Sequence, residues 1–127
     1  MRMILTAAIA AICFAGAAWA DPAEGTWKTE VDDGAYAHVK MGMCGATLCG
    51  TIARTFNASG EYKSENLGKK LVWDMSPAGG GAYKSGQIWQ PSTGKTFRSK
   101  MALSGNTLNV SGCVGPICKK QTWSRVN

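Results

Sequence analysis

The sequence predicts a small all-β domain, a sandwich or a barrel, preceded by an export signal. Three observations carry this expectation. After residue 20 no stretch repeats its apolar residues at helical spacing over three turns. Gly, Thr, Ser and Asn instead punctuate short alternating runs at roughly 8–12-residue intervals, the rhythm of hairpins. Four cysteines, Cys44, Cys49, Cys113 and Cys118, fall in two pairs of identical spacing.

The N-terminus carries Arg2, an apolar run from Ile4 to Phe14, and Ala18-Trp19-Ala20 before Asp21-Pro22. A charge, a short apolar core and a small-x-small site in that order describe a cleavable signal peptide over 1–20, cut after Ala20. The run falls short of the ~20 residues a spanning helix needs, so no membrane span is expected after cleavage. Ile12 precedes Cys13, which argues against a lipoprotein signal. Removing 20 of the 127 residues leaves 107, enough for one domain over 21–127. The expected location is the periplasm or the exterior.

Eight strand-like runs can be placed, at 25–31, 35–44, 48–56, 70–75, 82–90, 95–104, 107–114 and 117–126. Segments 57–69 and 76–81 read as loops, the second with Pro77 and Gly79-Gly80-Gly81. A two-residue Gly105-Asn106 turn sets Leu103 opposite Leu108 and Met101 opposite Val110, while Ala102 meets Asn109 and Lys100 meets Ser111. One face becomes apolar and the other polar, a pattern that a one-residue slip would destroy. Turned at Gly115-Pro116, Cys113 opposes Cys118; turned at Ala46-Thr47, Cys44 opposes Cys49. Two hairpin disulfides, Cys44–Cys49 and Cys113–Cys118, are expected, each contributing about 2 kcal/mol in the chain-entropy model. The oxidising compartment and the opposed geometry favour them over a zinc site, so no metal is expected.

Several motifs resemble a known group. They are Gly25-Thr-Trp27, Leu48-Cys49-Gly50-Thr51-Ile52, the run from Gly86 to Phe97, Val110-Ser-Gly-Cys113 and Gln121-Thr-Trp-Ser-Arg-Val126. In order and spacing they resemble the small secreted bacterial proteins of DUF2147, a domain of unknown function. One departure is Trp89-Gln90-Pro91, where the family pattern has an aromatic-acidic-proline turn. The resemblance implies an exported, eight-stranded antiparallel up-and-down barrel of the lipocalin or calycin type, and no activity. Gly25-Thr-Trp27 with Arg125 also looks like the Gly-x-Trp and Arg pair that closes one end of such barrels; a guanidinium over an indole is favourable by ~1 kcal/mol.

Catalytic chemistry finds little support. The one histidine, His38, alternates with Tyr36 and Lys40 on the face opposite Ala37, Val39, Met41 and Met43, so it is expected outside. No carboxylate pair shares a rigid strand face, and the thiols are committed to bridges. A non-enzymatic protein without cofactors is expected. The formal charge of +6 falls to +5 without Arg2, and the cations are scattered without interleaved aromatics, which argues against nucleic acid. The partner expected is a small-molecule ligand.

Strict alternation turns Leu48, Gly50, Ile52, Arg54 and Phe56 inward on the third run, and Lys119, Gln121, Trp123 and Arg125 inward on the last. Interior cations and amides need partners. The candidate ligand set is therefore Arg54, Gln121 and Arg125 for a polar or acidic group, with Trp89, Met41 and Met101 as walls beside Met43, Ile52 and Phe97. The function expected is binding of a small polar, acidic or amphipathic ligand inside the barrel. The alternative is an envelope-associated structural or interaction module with a packed core.

Overall fold

A computed structural model describes residues 20–127; the signal-peptide assignment over 1–20 falls almost wholly outside them. The described chain forms nine strands: β1 (Gly25–Lys28), β2 (Ala35–Cys44), β3 (Thr47–Asn57), β4 (Gly60–Tyr62), β5 (Lys70–Gly79), β6 (Ala82–Gln90), β7 (Lys95–Ser104), β8 (Thr107–Val114) and β9 (Ile117–Arg125). All pairings are antiparallel. Going round, β1-β2-β3-β5-β6-β7-β8-β9 closes back on β1, giving an eight-stranded up-and-down barrel. The small β4 is appended to the far end of β3. Closure removes the free edges that an open sheet would expose.

The β7–β8 register is the expected one, from Ser104 opposite Thr107 to Arg98 opposite Cys113. Cys113 lies directly opposite Cys118, and their disulfide joins Cα atoms 4.0 Å apart. The Cys44–Cys49 disulfide also forms, across a Cα separation of 5.8 Å. Its register differs from expectation, however. The turn is Gly45-Ala46, so Cys44 pairs with Thr47 and Gly42 with Cys49. Gly45 sits at φ 78°, a conformation open to glycine at no steric cost, and this places the turn one residue early.

Three further boundaries moved. β1 ends at Lys28 rather than residue 31, because the Thr29 hydroxyl takes the Ala37 N–H at 3.0 Å where a longer strand would offer a carbonyl. The loop expected over 76–81 is mostly strand: β5 runs to Gly79, and Gly80-Gly81 alone make the turn, at φ 64° and 84°. Pro77 is tolerated there because β5 beyond Met75 has β6 as its only neighbour. The loop expected over 57–69 contains β4.

The interior is filled unevenly. In one half Trp27, Trp123, Met41, Leu48, Met75 and Leu108 are fully buried. Two inward glycines make this density possible. A Cβ on Gly50 would lie 2.7 Å from Val39 Cγ1 and 2.8 Å from Met41 Sδ; one on Gly86 would collide with Met75 Sδ. The same half is capped by residues 21–24. Ala23 is fully buried and its carbonyl accepts the Trp27 indole N–H at 2.9 Å. The Tyr83 hydroxyl donates to Asp21 Oδ1, and burial together with that bond raises the phenol pKa well above its ordinary value.

Candidate ligand-binding site

The other end of the barrel is open. There the β1–β2 connection, the β4 segment, the β6–β7 turn and the β8–β9 hairpin surround a pocket of about 510 Å³. Its apolar depth comes from Ala37 on β2, Ile52 on β3, Leu71 on β5, Ile88 on β6 and Phe97 on β7. Ile88 and Phe97 are cross-strand partners, so they present one row across the pocket wall. Gly112 on β8 supplies the vacancy. A Cβ there would meet Ile88 Cγ2 at 3.4 Å, Phe97 Cβ at 3.7 Å and Phe97 Cγ at 4.0 Å, all ordinary contacts. The missing side chains of Gly50 and Gly86 are filled by neighbours, and that of Gly112 is not. This contrast explains why one half is solid and the other hollow.

The rim is polar. Thr55 is buried; its hydroxyl donates to the Tyr62 carbonyl at 2.6 Å and accepts the Ser64 N–H at 3.3 Å, tying the β3–β5 connection to the mouth. Asp32 accepts from Ser92 Oγ at 2.7 Å and from Gln90 Nε2 at 3.4 Å. Glu30 accepts the backbone N–H of Thr122. The β1–β9 ladder stops at Lys28 opposite Ser124, so Glu30 stands in for the strand carbonyl that β1 no longer offers. Lys119 and Gln121 complete the rim on β9.

The ligand set expected from the sequence is dispersed. Arg54 lies outside the barrel. The register of β2 against β3 shifts between His38 and Val39, leaving Ala53 as an extra residue and reversing the parity beyond Ile52. Thr55 thereby turns inward, while Arg54 and Phe56 turn out. Arg54 forms a bidentate pair with Glu61, Nε to Oε2 at 2.8 Å, which raises its pKa and lowers that of Glu61. Phe56 stacks on Tyr36 at 4.8 Å and packs against His38 at 4.6 Å. His38 is on the outer wall as expected, and partial burial, then Arg54 and Lys28, lower its pKa.

Arg125 is at the opposite, closed end. Its guanidinium lies 4.3 Å over the Trp27 ring and donates to the carbonyls of Glu24 at 3.0 Å and Pro22 at 2.8 Å, and to Asn106 Oδ1 at 3.1 Å. Two of these bonds hold the cap and the third holds the β7–β8 turn. Met41 and Met101 belong to the solid half, and Met43 is exposed. Of the expected ligand set, Gln121 and Trp89 reach the pocket, joined by the expected walls Ile52 and Phe97. Gln121 accepts the Trp123 indole N–H at 2.6 Å, and Lys69 Nζ sits 5.4 Å over the Trp89 ring. Ile88, Leu71, Thr55 and Gly112 were missed. Alternation from Gly86 points to Ile88, the inward neighbour of Trp89.

A closed eight-stranded antiparallel barrel, shut at one end by an arginine over a tryptophan and hollow at the other, is lipocalin-like. Among solved structures, protein HP1028 from the human pathogen Helicobacter pylori, described as belonging to the lipocalin family, is similar. It aligns with a TM-score of 0.65 and 17% identity over 82% of each chain. The sequence pattern of a family described as an uncharacterized protein conserved in bacteria (DUF2147) matches residues 25–125, and the chain belongs to that family. No curated protein matches it.

Proposed function

We propose that this protein is an exported, non-enzymatic binding barrel that takes a small amphipathic ligand through its open end. The apolar part of the ligand lies between Ile52, Leu71, Ile88 and Phe97, and its polar end meets Gln121 and Lys119 at the rim. The observation that carries this reading is the pocket itself: a hollow of about 510 Å³ in a 127-residue chain, opened by an inward glycine that nothing fills. Its size and its apolar walls with few polar groups are those of small-molecule sites. Two disulfides and membership of a bacterial family are consistent with work outside the cytoplasm. The fully packed module weighed as the alternative would leave no such vacancy.

The test is a titration with 1-anilinonaphthalene-8-sulfonate, an amphipathic anion whose emission rises in apolar surroundings. Wild type is expected to bind saturably with one site. Gly112→Leu, which directs a side chain at Ile88 and Phe97, is expected to weaken binding at least tenfold with unchanged near-UV circular dichroism. Absent saturable binding, or equal binding by a folded Gly112→Leu variant, would reject the pocket as the site.

A further inference from the structure

Among the described residues, the exposed large hydrophobic side chains are gathered rather than scattered. Val31 (65% exposed), Tyr62, Val114 (67%) and Ile117 (74%) all stand at the pocket mouth, whereas Met43 and Val126 do not line it. Val114 and Ile117 are opposed across the tip of the β8–β9 hairpin, immediately inside the Cys113–Cys118 disulfide. Arg98 Nη2 donates to the Gly115 carbonyl at 2.8 Å and buttresses the same tip. Stapled and braced in this way, the two aliphatic side chains cannot fold back to hide from water.

Cations stand directly behind them. Lys119 and Lys120 follow the tip on β9, and Arg98 holds it from β7. The rim carboxylates Glu30 and Asp32 are hydrogen-bonded by the Thr122 N–H and by Ser92 and Gln90 and keep their charge, so the basic surface is the hairpin tip and not the whole rim. A rigid apolar tip backed by cations matches the boundary of an anionic bilayer, where apolar side chains enter the headgroup region and basic ones meet phosphate. A protein partner fits less well. Specific protein interfaces cover about 800 Å² per partner with a contiguous apolar centre. Here the apolar residues sit on separate projections around an opening, a ring that a fluid surface accommodates.

We infer that the open end docks on an anionic lipid bilayer, with Val114 and Ile117 entering the headgroup region and Arg98, Lys119 and Lys120 facing lipid phosphates. The docked pocket then opens toward the lipid. This surface stands on its own observations and does not require that the pocket hold a ligand.

The test is flotation of the oxidised protein, beginning at Asp21, with vesicles of phosphatidylcholine alone or mixed with phosphatidylglycerol. Binding is expected to the mixed vesicles, to fall at least tenfold in high salt, and to be weak on phosphatidylcholine. Val114→Ser/Ile117→Ser and Lys119→Glu/Lys120→Glu are each expected to cut partitioning at least tenfold. An Ile117→Trp reporter is expected to be quenched by brominated lipid beyond the wild-type background. No binding to mixed vesicles, undiminished binding by the double variants, or an unquenched reporter would overturn the inference. The probe titration without vesicles reads the pocket separately, so either conclusion can fail alone.

Discussion

Replacing Arg125 by alanine should open the closed end of the barrel. The guanidinium makes three hydrogen bonds, at 2.8, 3.0 and 3.1 Å, and lies 4.3 Å over Trp27. Bonds from charged donors contribute about 1.5–3 kcal/mol when buried, but this group is only partly buried and the freed carbonyls can reach water. A contribution nearer 0.5–1 kcal/mol each is therefore appropriate. Adding ~1 kcal/mol for the cation over the indole gives a loss of about 3 kcal/mol. In a domain of roughly 100 residues, that corresponds to a fall in Tm on the order of 15 °C. Arg125→Lys keeps a charge over the ring but loses the planar fork, so it should recover less than half. Urea denaturation followed by tryptophan fluorescence measures all three proteins. Because the arginine is far from the open mouth, affinity for the naphthalene probe should remain at the wild-type level below the transition. A loss under about 0.5 kcal/mol for Arg125→Ala would refute the closure argument.

Two other predictions concern the wall and the core. His38 should titrate below the ordinary 6.5, by desolvation first and then by Arg54 and Lys28. The unfolded chain therefore binds the proton more readily, so stability is unaffected at high pH and declines as pH falls through 6.5 toward the folded value. Histidine-resolved NMR titration checks the position, and Arg54→Ala should move it back upward; a His38 pKa at or above 6.5 would contradict the described packing. Gly50→Ala places a methyl 2.7 Å from Val39 Cγ1, 2.8 Å from Met41 Sδ and 3.0 Å from Val72 Cγ2. The cost should be about 1–3 kcal/mol by thermal denaturation, whereas Gly112→Ala, with no contact under 3.4 Å, should be nearly neutral.

Much of the barrel was legible from local patterning because hairpins are local. The alternation of Met101, Leu103, Leu108 and Val110 about Gly105-Asn106 determines a register without reference to the remaining chain. Paired cysteines at equal spacing announce their bridges, and the turn slip in the first hairpin did not prevent its disulfide. The Trp27–Arg125 closure was visible as a motif, although its use of the Pro22 and Glu24 carbonyls was not.

The site resisted the same reading. Alternation predicts inward and outward only while register is unbroken, and the extra residue Ala53 sent Arg54 to solvent and brought Thr55 inside. Nor does inwardness say which end of the barrel a residue occupies. Met41, Met101 and Arg125 all lie on the expected faces, yet they belong to the packed end, while Gln121 and Phe97 reach the open one. The eight barrel strands, the partners in the β7–β8 and β8–β9 hairpins, both bridges and the closing pair follow from neighbours a few residues away or from a compact motif. The position of the pocket follows from no such local pattern. A vacancy is the absence of a side chain from every surrounding strand at once, and whether Gly50 is filled and Gly112 left open depends on residues distant in the chain.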